Sequence, residues 1–357
     1  MRLLKRLLAT IGVLILVIAV VSLWFLNRGG AFRTIEPHFA GTCEALPLDG
    51  SAEDILVDRA RGIAYLSLMD RLALVKGGSA QGTVARVDLN VRPYSAVPAL
   101  ATKPDHFRPH GMSLHIDENG QRRLFVINHP VNRGTEAELV ELFTETGPGE
   151  FTHSETFGDP LMISPNDLVA VGPRQFYVAN DKALGGGLAV GLQQAGIGAS
   201  PLNYFDGSAM RNVSEDIASG GGINVSADMT SLYVAETAGK RVRLLDRADD
   251  GSVTERARIA VDTAPDNIDV AEDGSLWVTG HANTVALIRH FIGGSPAPTQ
   301  VWRIELAAGG AKAPEEIYLD DGTRISAGSV GATWNRLLLI GSITEKKIMI
   351  CERSVGT

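Results

Sequence analysis

Only two cysteines, Cys43 and Cys351, occur in the 357-residue chain, and neither belongs to a CxxC pair. No HExxH pattern is present either, so the short-spaced His and Cys clusters that zinc prefers are missing. The chain also lacks a P-loop, a GxSxG nucleophile elbow and a GxGxxG dinucleotide fingerprint. Those gaps remove P-loop nucleotide chemistry, α/β-hydrolase chemistry and Rossmann redox chemistry. Positive charge is scarce as well: 33 Lys and Arg stand against 41 Asp and Glu, a net charge of −8. Without a basic stripe to neutralise phosphates, nucleic acid is excluded as a partner. Beyond residue 42 the apolar period of amphipathic helices is almost absent.

One long hydrophobic run is present. Arg2, Lys5 and Arg6 precede an apolar stretch from Leu7 to Leu26, and Arg28 follows it. Twenty helical residues at about 1.5 Å each reach roughly 30 Å, the thickness of a bilayer's hydrocarbon core. The positive N-terminal flank predicts a cytoplasmic start and an exported body, periplasmic or extracellular. A cleaved signal peptide, and hence a secreted protein, is the competing reading. Its apolar region is normally about 7–15 residues and ends in a small-x-small site. This run is longer and ends in Trp24-Phe25-Leu26-Asn27-Arg28, so a retained anchor over 1–28 is expected. A linker over 29–42 and one large domain over 43–357 follow.

Both cysteines lie on the exported side and bracket that domain. Two inert thiols are the plain reading; in an oxidising compartment the pair reads better as a disulfide. Such a bridge ties the first strand to the last, which suits a circular fold.

The domain itself repeats. The segments 53–68, 110–129, 166–181, 221–237, 266–281 and 328–343 each carry a polar or glycine pair, an alternating strand, a turn and a second strand rich in aromatic and branched residues. Their starts fall about 45–60 residues apart, the period of a propeller blade. A solenoid or sandwich also uses β repeats, but the six-fold count and the terminal cysteines favour a closed ring. The expectation is an all-β, six-bladed β-propeller behind an N-terminal membrane helix.

In a propeller, residues at the same phase of each repeat converge on the central channel. Here that phase holds Glu53-Asp54, His110-Gly111, Asn166-Asp167, Gly221-Gly222 and Asp266-Asn267. An Asp or Asn taken singly is usually a turn or strand-end cap. Acids and amides recurring at one register are different, because clustered carboxylates repel and lose hydration unless a cation compensates them. Oxygen donors without cysteine suit calcium. His110 and His129 flank one β-pair, with Asp181 and His281 at comparable strand ends, an arrangement suited to proton transfer near neutrality.

With PHGMS at 109–113, INHP at 127–130, NDLVAVGP at 166–173, VANDK at 178–182, GINVS at 222–226, DNIDV at 266–270 and LWVTGH at 276–281, the chain resembles the serum paraoxonase/arylesterase family of calcium-dependent lactonases. The resemblance runs over essentially the whole chain, including the hydrophobic N-terminus and the bracketing cysteines. It implies a six-bladed propeller with two calcium ions in its channel. Carried over position by position, Glu53, Asn166, Asp266 and Asn267 hold a catalytic ion. Asp54, Asp167 and the carbonyl of Met112 hold a deeper structural one. His110 and His129 form the dyad that activates water, and Asp181 and His281 line the pocket.

One departure stands out. The family places an Asn ligand just before the glycine of GIN, where this chain has Gly221, which brings no side-chain oxygen. Asn224 does not replace it, since alternation turns it to the opposite side. The expected function is hydrolysis of small lactones and aryl esters. The alternatives are a gluconolactonase-type calcium propeller and a membrane-tethered propeller that keeps calcium for rigidity alone. The apolar, glycine-rich stretch 184–202 reads as a lid, a lipid-contacting surface or a plain surface loop.

Overall fold

The computed structural model describes residues 2–307 and 310–354. Each sequence repeat opens an antiparallel sheet. Blade 1 runs outward through Ser51–Asp58, Ile63–Met69, Thr83–Asp88 and Ala96–Pro98, and blade 2 through Pro109–Ile116, Arg122–Asn128, Leu139–Gly147 and Glu150–Gly158. Blade 3 comprises Pro165–Ala170, Phe176–Asn180, Ser200–Phe205 and Met210–Ile217; blade 4 comprises Gly220–Val225, Ser231–Glu236, Arg241–Arg247 and Val253–Ala260. Blade 5 contains Ala264–Val270, Leu276–His281, Thr299–Ile304 and Glu315–Asp320, with His38–Phe39 added at its edge. Blade 6 contains Gly328–Trp334, Leu337–Ser342 and Lys347–Arg353. Its outermost strand is Gly41–Pro47, from the other end of the chain.

The innermost strand of each blade packs on that of the next, and the sixth packs on the first, so the ring is closed. Six separate hydrophobic clusters, rather than one core, hold it. Each lies between two neighbouring blades: Leu66 and Val87 of blade 1 meet Val330 and Leu339 of blade 6, and Phe125 of blade 2 meets Phe176 of blade 3. Aromatic and branched residues of the second strands fill these junctions because both faces of every blade are covered.

Closure is covalent as well. Cys43 sits directly opposite Cys351 in the Gly41–Pro47/Lys347–Arg353 ladder, and the two form the expected disulfide across 308 residues. On the chain-entropy model a loop of that length is worth about 5–6 kcal/mol.

The innermost strands share an irregularity. Every one breaks register with its neighbour at its first third, between Ala52 and Ile55, Pro109 and Met112, Pro165 and Asp167, Gly220 and Ile223, Pro265 and Ile268, and Gly328 and Gly331. A bulge bends the strand and re-aims its side chains. The residues so displaced are the ones the repeat phase singles out.

Among the described residues, four helices accompany the sheets. Helix α1 (Arg2–Arg28) is the apolar run; it has no buried residue and is long and apolar enough to cross a membrane. The stretch after it carries contacts of its own. Gly29 accepts the Thr284 amide at 2.8 Å, Arg33 pairs with Glu316 at 3.0 Å, and His38–Phe39 pairs with blade 5. Helix α2 (Arg71–Val75) is capped by Asp70, whose carboxylate accepts the Ala73 amide. Helices α3 (Gly187–Gln194) and α4 (Thr284–Gly293) follow the second strands of blades 3 and 5. Asn283 caps α4 and Gly294, at φ 73°, ends it.

Candidate active site

The six bulges put one set of polar groups on the axis. Glu53, Asp54, Asp167, Asp266 and Asn267 are all buried. The two groups of acids are held differently. Asp54 of blade 1 accepts the Met112 amide of blade 2 at 2.7 Å and its neighbour's amide at Ile55 at 2.8 Å. Asp167 of blade 3 likewise accepts the Ile223 amide of blade 4 at 2.8 Å and the Leu168 amide at 2.8 Å. These carboxylates stitch blade to blade, and Gly111 lets them do so: a Cβ there would lie 2.3 Å from Asp167 Oδ1.

Glu53, Asn166, Asp266 and Asn267 are less satisfied. Asn267 Nδ2 donates to Glu53 Oε1 at 3.1 Å and to the Glu53 carbonyl at 3.2 Å. That leaves three buried oxygens without a hydrogen-bond partner: Glu53 Oε2, Asn166 Oδ1 and Asn267 Oδ1. A buried acceptor with no donor costs about 1–3 kcal/mol, more if charged. Glu53 and Asn267 are in direct contact, and orphaned oxygens at the same phase of three inner strands are the donors an oxygen-coordinated hard cation takes. Among the described residues no trio of His, Cys, Asp or Glu forms a metal cluster; the donor set here is half amide.

The charge balance agrees. Four carboxylates share the axis with one buried guanidinium, Arg71. It donates to the Ser51 carbonyl at 2.8 Å and to the Pro109 carbonyl at 2.5 Å. Burial first, then repulsion from Asp266, pushes Glu53 up to about 8. Burial pushes Asp54 up to about 7 against the pull of the Met112 and Ile55 amides. Burial, followed by repulsion from Asp54, raises Asp167 well above the usual carboxylate range. Burial and mutual repulsion thus disfavour the charged forms of these acids, a penalty that a bound cation would relieve.

Beside this cluster lie the histidines. The His110 and His129 rings sit 4.7 Å apart between centroids, and His110 Nδ1 is 3.7 Å from Glu53 Oε2. Burial lowers both imidazoles well below their ordinary value, so both are neutral at neutral pH. His129 Nδ1 lies 2.6 Å from Glu138 Oε2. His281 Nε2 pairs with Asp266 Oδ2 at 3.1 Å. Asp181 accepts the Ser164 hydroxyl, and its carbonyl accepts Gln193 Nε2 at 2.8 Å and Ser219 Oγ at 3.0 Å. It joins blades 3 and 4 to α3 near the mouth.

Gly221 is not a gap awaiting a side chain. A Cβ there would come 2.9 Å from the Asp266 carbonyl and 2.9 Å from Thr237 Oγ1. Asn224, as alternation requires, points elsewhere, donating to the Ile268 carbonyl at 2.9 Å.

Four residues escape the repeat reading. Ser329 occupies the sixth bulge and donates to the Glu53 carbonyl at 2.6 Å; its place in the sixth repeat was the available signal. Arg71, Glu138 and Arg133 lie in connections, where no period marks them.

The chain's similarities accord with this geometry. It is 28% identical over 353 residues to serum paraoxonase/arylesterase 2 of Gallus gallus, covering 96% of this chain and 98% of that one. It is 27% identical to serum paraoxonase/arylesterase 1 of Homo sapiens over 91% of this chain and 93% of the relative. A solved luciferin-regenerating enzyme shares the fold at a TM-score of 0.55 and 13% identity, over 88% of this chain and 96% of that one. The model of the Arylesterase family matches residues 81–353, from blade 1 through the strand that carries Cys351, and the chain is therefore a member of the arylesterase family, an ester-hydrolysing enzyme.

Proposed function

We propose that this hydrolase opens lactones and aryl esters with calcium held by Glu53, Asn166, Asp266 and Asn267, and that a second calcium binds at Asp54, Asp167 and the Met112 carbonyl. The observation that carries the reading is the trio of orphaned buried oxygens on Glu53, Asn166 and Asn267. Calcium bound there supplies Lewis-acid polarisation of the substrate carbonyl, worth several kcal/mol.

The side chains do the proton work. Neutral His110 takes the proton of the attacking water, and Glu53 Oε2, 3.7 Å from Nδ1, favours the resulting imidazolium. His129 orients His110 and relays its proton outward. His281 fixes Asp266. Arg71 holds the backbone of blades 1 and 2 together at the channel. The dry, walled site keeps these charges strong.

The same face of the ring receives the membrane helix. Arg28 Nη2 donates to the Ala238 carbonyl at 2.5 Å, and Gly29 meets the start of α4. On that face α3 exposes Leu188 at 80% and α4 exposes Ile292 at 84%. The channel mouth therefore looks toward the bilayer on the exported side, where hydrophobic lactones concentrate.

Hydrolysis of an acyl lactone and phenyl acetate, measured with calcium and after chelation, tests the chemistry. Activity should vanish in excess EDTA and return with calcium; undiminished turnover in chelator contradicts the proposal. Turnover of sugar lactones alone would favour a gluconolactonase-type enzyme.

A further inference from the structure

The proton path does not end at the histidine pair. Glu138 lies in the connection after blade 2's second strand, with only 3% of its side chain exposed. Its Oε2 is 2.6 Å from His129 Nδ1, and its Oε1 accepts Arg133 Nε at 2.8 Å. Arg133 continues to Ser164 Oγ at 3.1 Å, and Ser164 donates to Asp181. At the other edge of the ring, His129 Nε2 is buried and has no hydrogen-bond partner.

We infer that Glu138 is a positioning residue that fixes His129 as the Nδ1-protonated tautomer and leaves Nε2 as the open acceptor beside His110. The logic is one of donors and acceptors. A carboxylate held by arginine can only accept, so the imidazole nitrogen facing it must carry the hydrogen. A carboxylate behind a proton-transferring histidine sets its tautomer, its orientation and its basicity together. Burial raises the Glu138 carboxyl and Arg133 opposes that rise; the 2.8 Å pair with the guanidinium favours the carboxylate, the accepting form. This role rests on the proton-transfer reading above, but the tautomer can be measured with no substrate present.

Glu138→Gln is the sharp test because it preserves shape. The amide has one oxygen, which Arg133, always a donor, captures. Its NH2 group then faces His129 Nδ1 and forces the proton onto Nε2. Long-range 1H–15N correlation on the full-length, 15N-histidine-labelled chain in micelles should show the wild-type His129 protonated on Nδ1. The variant should show the inverted tautomer. Its kcat should fall at least about tenfold with KM within about threefold, and it should cost nothing further in a His129→Gln background. A wild-type proton on Nε2, or an unchanged tautomer in the variant, overturns the inference without reference to hydrolysis. A full additional loss in the double variant would make Glu138 a loop staple only.

Discussion

Asp266 links several parts of the site. It pairs with His281, raises Glu53 by repulsion, and its carbonyl abuts Gly221. Asp266→Ala should cost at least about a hundredfold in turnover and release calcium to a fluorescent chelator. His129→Gln should cost about 10–100-fold and retain calcium. The opposite ranking would shift the chemistry away from the cation. Gly221→Asn, which gives this chain the family's residue, should lower stability by about 1–3 kcal/mol through overpacking with no tighter calcium binding, as urea melts and calcium titration would show. The acids and amides at the strand starts were legible because six repeats pose the same question and carry related answers. Arg71 and Glu138 were not. Arg71 reaches Pro109, 38 residues on, and nothing in the chain's periodicity marks a contact made by the tip of a long side chain.

Strands and helices differed in how openly the sequence declared them. Alternation and the Gly/Asp turns mark the strands of every blade. The bulges behind the site leave no composition signature, because they arise where six strands crowd one axis and must turn their side chains inward. Helix α4 carries its end signals, Asn283 before and Gly294 after, and is an exception to the near-absence of helical period beyond residue 42. Helix α3 emerges from the glycine-rich stretch that reads as a lid or loop. Both helices leave apolar side chains exposed, Leu188 at 80% and Ile292 at 84%. Leu188→Glu with Ile292→Glu should therefore leave the melting temperature within about 2 °C, since exposed substitutions cost under about 0.5 kcal/mol. Binding of the chain, with α1 removed by a protease site placed after Arg33, to phosphatidylcholine vesicles should drop several-fold. Unchanged flotation would separate the mouth from the membrane.

As a whole the molecule is a ring whose stability is spread over six equivalent junctions and whose one seam is sealed by Cys43–Cys351. Replacing both cysteines by alanine should lower the urea midpoint by an amount equivalent to no more than about 5–6 kcal/mol while the Gly41–Pro47 strand stays paired, detectable by amide exchange. Loss of that strand's protection would show that the bridge, not the ladder, closes the ring. The axis is the ring's other point of tension: four buried carboxylates face one arginine there, an imbalance that the proposed divalent ion would relieve. A crystal of the protein soaked in terbium, an oxygen-seeking stand-in for calcium, reads this directly through anomalous scattering. The account predicts a peak on the axis within coordinating distance of Glu53, Asn166, Asp266 and Asn267. Density confined to the outer surface, with those four side chains bonded only to protein, would contradict it.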